Sequence, residues 1–252
     1  MEGSVRDRFR LIYLKSIGSE KSTLKEPVLS RDSNERESRA FSPYQKKASE
    51  SFTDRAHLDQ AESDLKHPDP KIRILAIRFL EKMDPPLVTS LLQEALSDRD
   101  PDVRAQAILA LIKFRSPDIK PSLKKYLKDS SPKVKMAALR GIFQFEEGID
   151  LNILLQLLSD ESPWVRRKMA TLLGWSRTEG VLPILAELSR DPDAKVRKAA
   201  LFSLVSLYPE ESEDRLLKAM TDPDPELRKW AKRILERMAE APVIRRKGLP
   251  NK

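Results

Sequence analysis

The stretch DRDPDVRAQAILALIKF, residues 98–114, decides the fold. Its phrase RDPDVR (99–104) returns five more times at an unbroken spacing of 31 residues: PDPKIR at 68–73, SSPKVK at 130–135, ESPWVR at 161–166, PDAKVR at 192–197 and PDPELR at 223–228. An aspartate precedes every copy except the first, where His67 stands. The anchors are Pro70, Pro101, Pro132, Pro163, Ala194 and Pro225. A fixed period in this range marks units that cannot bury an apolar face alone and must stack on their neighbours.

Each unit reads as two helices. Ahead of the phrase, PLVTSLLQEALSD (86–98) sets Val88, Leu91, Leu92, Ala95 and Leu96 on one face at helical spacing. After it, Val103, Ala107, Ala110 and Leu111 share an inner face. The residue before each anchor is Asp69, Asp100, Ser131, Ser162, Asp193 or Asp224. Each can cap a helix, because its side-chain oxygen accepts a free N–H of the first turn. Proline then takes the first helical position, where its missing N–H costs nothing. Six residues past the anchors come Ala76, Ala107, Ala138, Met169, Ala200 and Ala231, mostly small, as close helix approach requires. Gly141 and Gly174 fall inside second helices, where glycine costs about 1 kcal/mol relative to alanine. They mark places where a neighbouring helix comes close.

The end units differ, as the ends of a repeat stack must. Residues 54–66 keep only Leu58, Ala61 and Leu65 of the apolar pattern, and the last helix carries Arg228, Lys229, Lys232, Arg233, Glu236 and Arg237. Six helix pairs are expected over 54–240. Residues 1–53, rich in Ser and charge over 18–52, read as a largely disordered segment, with a docking helix conceivable over 1–17. Residues 241–252 read as a flexible basic tail.

The net charge of the 252-residue chain is +8, yet it sits mainly at the ends. Residues 57–240 hold 31 Lys and Arg against 30 Asp and Glu, so the repeat body is nearly neutral and whole-chain charge overstates the case for nucleic acid. There are no cysteines, which excludes disulfides and thiolate metal sites. No apolar run is long enough to span a bilayer, and a cytoplasmic location is expected.

The phrase Asp-x-(Asp/Ser)-Pro-x-Val-Arg, the alanine after it and the 31-residue register resemble the HEAT-repeat family, above all its short bacterial HEAT-like repeats of the phycobilisome-lyase type. The resemblance covers about 54–240. It implies an all-α, right-handed α-solenoid of antiparallel helix pairs whose second helices line a concave surface. His67, Ala194 and Lys135 depart from the phrase without disturbing its register. The family spans scaffolds and enzymes, so its fold does not assign a function.

Two patterns carry candidate chemistry. The arginine three past the anchor recurs as Arg73, Arg104, Arg166, Arg197 and Arg228, with Lys135 in the sixth place. It could track phosphates. Alternatively it pairs with Asp98, Asp129, Asp160, Asp191 and Asp222, which recur in step with it and form an inter-repeat ladder in related arrays. More informative are the positions that vary. Four past the anchor stand Ile74, Ala105, Met136, Arg167, Lys198 and Lys229; eight past it stand Arg78, Leu109, Arg140, Thr171, Phe202 and Arg233. With Trp164, Lys168 and Trp230, the later ones make a basic, tryptophan-bearing groove. Such a groove suits either a protein hot spot or stacked bases.

The candidate partner site is therefore Trp164, Arg167, Lys168, Lys198, Lys229, Trp230 and Arg233. The expected function is a non-enzymatic interaction scaffold for a protein with an acidic segment. Nucleic-acid binding of the DNA alkylation-repair glycosylase type is the alternative, with Asp102 the only acid near the groove. A phycobilin lyase-like enzyme ranks last. No cofactor or metal is expected: His57 and His67 stand without a fitting carboxylate framework, and neither a phosphate-binding glycine loop nor a nucleophile elbow is present.

Overall fold

Every anchor becomes the first helical residue of a second helix. The computed structural model describes residues 54–116, 119–145, 149–176 and 178–240, and the segments expected at 1–53 and 241–252 lie outside them. Among the described residues twelve α-helices form six pairs, and no strand occurs. The first three pairs are α1 (Asp54–Leu65) with α2 (Pro70–Leu80), α3 (Pro85–Glu94) with α4 (Pro101–Lys113), and α5 (Ile119–Tyr126) with α6 (Pro132–Phe145). The other three are α7 (Leu151–Leu157) with α8 (Pro163–Trp175), α9 (Leu182–Leu188) with α10 (Ala194–Leu207), and α11 (Pro209–Ala219) with α12 (Pro225–Glu240). This is the all-α solenoid class.

The chain divides after residue 146 into two compact units. In the N-terminal unit α2 packs on α4 and α4 on α6, while α1, α3 and α5 each cover their own partner. In the C-terminal unit α8 packs closely on α10, α9 covers both, and α11 lies against α10 and α12. The core follows the register. Val103, Val134, Val165 and Val196, two past their anchors, are fully buried, as are Ala76, Ala107, Ala138, Met169, Ala200 and Ala231 at six past. Burying a side chain of valine size contributes about 1.5–3 kcal/mol. On α3 and the turn after it, Val88, Leu92, Ala95 and Leu96 are buried and Leu91 half-buried.

Capping holds where the cap is aspartate. Asp69, Asp100, Asp193 and Asp224 each accept a first-turn N–H of the helix they precede. Ser162 does not: it makes no side-chain cap bond, contrary to expectation. Its own N–H donates to Asp160 Oδ1, a bond to the carboxylate two residues upstream that the turns with aspartate caps at Asp100, Asp193 and Asp224 also make.

That carboxylate position also anchors the ladder, which the structure resolves as structural. Arg73 donates from Nε and Nη2 to both oxygens of Asp98 at 2.7 and 2.8 Å, and from Nη1 to the carbonyls of His67 and Pro68. The same arrangement joins Arg104 to Asp129, Arg166 to Asp191 and Arg197 to Asp222. Each aspartate then accepts the N–H two residues on, at Asp100, Ser131, Asp193 or Asp224. One guanidinium thus ties its own turn to the next, with the bidentate geometry that lysine cannot supply. Arg228, in the last described helix, bonds to the carbonyls of Asp222 and Pro223.

Both interior glycines sit at close approaches. A Cβ on Gly174 would lie 2.7 Å from Ser203 Cβ and 3.1 Å from its Cα, where α10 crosses α8. A Cβ on Gly141 would meet only the side-chain ends of Ile112 and Leu123, at 2.8 Å. Ser203 completes the crossing by donating from Oγ to the carbonyl of Ala170 at 2.8 Å.

Candidate basic interaction face

Helices α8 and α10 carry the charge. PWVRRKMATLLGW and AKVRKAALFSLVSL contain Arg166, Arg167, Lys168, Lys195, Arg197 and Lys198 and no carboxylate. Arg166 and Arg197 belong to the ladder. Hydrogen bonding to Asp191 and Asp222 outweighs the effect of burial and raises both arginines above their ordinary pKa, so both stay charged. The remaining four, Arg167, Lys168, Lys195 and Lys198, take no ion-pair partner among the described residues. Their helices pack side by side, so the four charges share one basic surface.

Two of these cations lie over Trp164. The side chain is 37% exposed, with the Arg167 guanidinium 5.7 Å and the Lys195 ammonium 5.8 Å from its ring centroid. Arg167 reaches it from one turn along α8, and Lys195 from the equivalent position one repeat later. Two cation–π contacts, each contributing about 0.5–1 kcal/mol at an exposed site, hold the ring in place. Lys168 and Lys198 are half-buried, their stems laid along the helix surface.

The expected residues divide accordingly. Trp164 and Arg167 are in contact, and Lys168 and Lys198 lie on the same pair of helices. Lys229, Trp230 and Arg233 lie on α12, which packs on α11. Lys229 is exposed and already paired with Glu226 at 3.1 Å; Trp230 is half-buried and Arg233 exposed. Lys195 escaped the sequence reading, although its signal was present: it repeats the register position of Trp164 after 31 residues.

Other candidates have local employment. Asp102, the acid considered for a glycosylase-like site, forms an ion pair with Lys133 at 2.6 Å. His57 packs edge-on against Phe79 with ring centroids 5.9 Å apart, and His67 Nδ1 accepts the Asp69 N–H at 3.0 Å. No group of three His, Asp or Glu among the described residues is arranged to hold a metal ion. No helix among them is long and apolar enough to cross a membrane.

The family model for HEAT repeats matches the chain three times, over residues 58–142, 121–204 and 184–245. Among solved structures, the Escherichia coli protein YibA shares the fold with a TM-score of 0.52 at 20% identity, covering 78% of this chain and 82% of that one. A designed armadillo repeat protein in complex with the peptide (KR)4 covers 71% of this chain and 98% of its own, at 21% identity and a TM-score of 0.47. The CpcE–CpcF complex of phycocyanin lyase from Nostoc sp. PCC7120 covers 76% and 79%, at 18% identity and a TM-score of 0.46. At these identities the likeness is one of fold. No curated protein matches in sequence.

Proposed function

The chain belongs to the HEAT-repeat family, and from that premise we propose that it is a non-enzymatic interaction scaffold whose α8–α10 face takes an acidic segment of a partner protein. One observation carries the reading: two adjacent helices hold four cations without a carboxylate of their own, and two of these, Arg167 and Lys195, lie over an exposed tryptophan. Like charges held together raise the energy of the free protein, and a partner's carboxylates relieve that strain. The tryptophan adds apolar area at the centre of the contact, and its two flanking cations fix the ring before binding, which lowers the ordering cost. Lys229, Trp230 and Arg233 on α12 would extend the surface for a longer partner.

Fluorescence anisotropy tests this with two labelled peptides, one rich in Asp and Glu and the other its Asn and Gln counterpart. The acidic peptide should bind, and the double substitution Arg167→Glu with Lys198→Glu should weaken it at least about tenfold while far-UV circular dichroism stays unchanged. Equal affinity in wild type and variant would remove the site. Duplex DNA is the third probe. Tighter binding to it than to the peptide, falling steeply with salt, would put the nucleic-acid reading in its place.

A further inference from the structure

Helix α11 presents to solvent a face that its own fold does not use. It buries Ser212, Leu216 and Ala219, and this side packs on α10 and α12. Beside this face lie Glu210, Glu213, Leu217 and Met220, all exposed and spaced by three, four and three residues, which makes them one stripe; Asp214 flanks it. Acidic residues in a first helical turn favour the helix itself, which accounts for Glu210 and Glu211. That effect fades after one turn and leaves Glu213 and Asp214 unexplained. It also gives no reason for Leu217 and Met220 to stand 51% and 40% exposed.

We propose that this stripe is a second interaction surface, and that its occupant is the α8–α10 face of another copy of this chain. The inference rests on the basic face assigned above. Charge complementarity carries it: Glu210, Glu213 and Asp214 meet cations that lack carboxylates, and Leu217 and Met220 meet the exposed Trp164 ring, with a favourable methionine–aromatic contact available. The stripe stays exposed in the folded chain, so the pairing runs between copies. Such a contact joins two different surfaces, so it is heterologous and lets copies add head to tail. One helix stripe offers a small area, so the association is weak and reversible.

Sedimentation velocity on the full chain, from about 5 to 200 µM, reads the association directly. The average mass should rise with concentration at low salt, and high salt should suppress the rise. Leu217→Gln with Met220→Gln, at exposed positions, and Arg167→Glu with Lys198→Glu should each weaken self-association at least about fivefold, with unchanged circular dichroism. Mixed together, the two variants should form one-to-one pairs and nothing larger, because only one intact surface of each kind remains. A wild type monomeric throughout, or association that Leu217→Gln with Met220→Gln leaves untouched, overturns the inference. So does association that survives Arg167→Glu with Lys198→Glu. The acidic peptide separates the two readings. If it binds wild type and the α11 variant equally while wild type stays monomeric, self-docking falls and the scaffold reading stands; self-association without peptide binding gives the reverse.

Discussion

The same scaffold is finished differently in its two units. Across the N-terminal second helices, lateral neighbours satisfy one another: Asp102 pairs with Lys133, and Glu81 accepts from Gln106 at 2.6 Å and faces Lys113 at 3.5 Å. Across α8 and α10 the equivalent edge holds cations around Trp164 and no acid. Beneath both surfaces the ladder and core are alike. All five large apolar side chains that stand exposed among the described residues, Leu155, Trp164, Trp175, Leu217 and Met220, also fall in the C-terminal unit. Fold stability and surface purpose are therefore set by different residues, and the units diverge only in the second.

The ladder is the firmest test of what they share. Arg166→Ala would leave Asp191, whose side chain is 5% exposed, without its countercharge, and should destabilise the protein by about 3 kcal/mol in chemical denaturation. Arg73→Ala, beside a similarly sheltered Asp98, should cost a comparable amount in the other unit. A difference of several-fold between them would break the equivalence. Next in size, Gly174→Ala should cost about 2 kcal/mol, because the added methyl meets the backbone of α10. Gly141→Ala should stay within about 1 kcal/mol, since flexible side-chain ends can yield and alanine favours the helix.

Acid should weaken both units together. Burial would raise the Asp129 and Asp222 carboxyls, but hydrogen bonds from Arg104 and Arg197 and from backbone N–H groups prevail and hold both below the ordinary 3.8. A carboxyl depressed in the folded state contributes its stability above the unfolded value and loses it as pH falls through the folded one. Denaturation midpoints should therefore be unaffected by these groups at neutral pH and drop below about pH 4. The smallest effects sharpen the surface contrast. Lys133→Ala should cost less than about 1 kcal/mol by losing an exposed pair, whereas Lys198→Ala should leave stability unchanged or slightly raised by easing repulsion.

Much of this was legible beforehand, for physical reasons. Anchors at a constant 31-residue spacing, five of them proline, marked where second helices start, because a capping Asp or Ser followed by proline suits the first helical position. Recurrent Asp and Arg announced a ladder. The interior glycines pointed to close approaches, and Ser203 opposite Gly174 is the neighbour that requires one. The surface was harder to read. Lys229 looked like a free cation, but its pairing with Glu226 depends on which neighbour a long side chain turns toward. Ser162 looked like a cap, yet its hydroxyl makes no cap bond, because whether a hydroxyl turns toward the first-turn N–H is a rotamer choice that residue type does not decide. Periodicity can place Lys195 near Trp164 but cannot say that the ammonium settles on the ring. Leu217 and Met220 follow the same rule: an apolar pair near a helix end gives no hint of the side it will face.

The arginine clamp has a mechanical side. Because each guanidinium grips both its own turn and the following one, tension applied along the chain cannot loosen a turn without also breaking a link to the next. Resistance to pulling should then be discontinuous within each unit. A single molecule held between two beads should lengthen in jumps of about 100 Å, the contour of one repeat, as successive clamps let go.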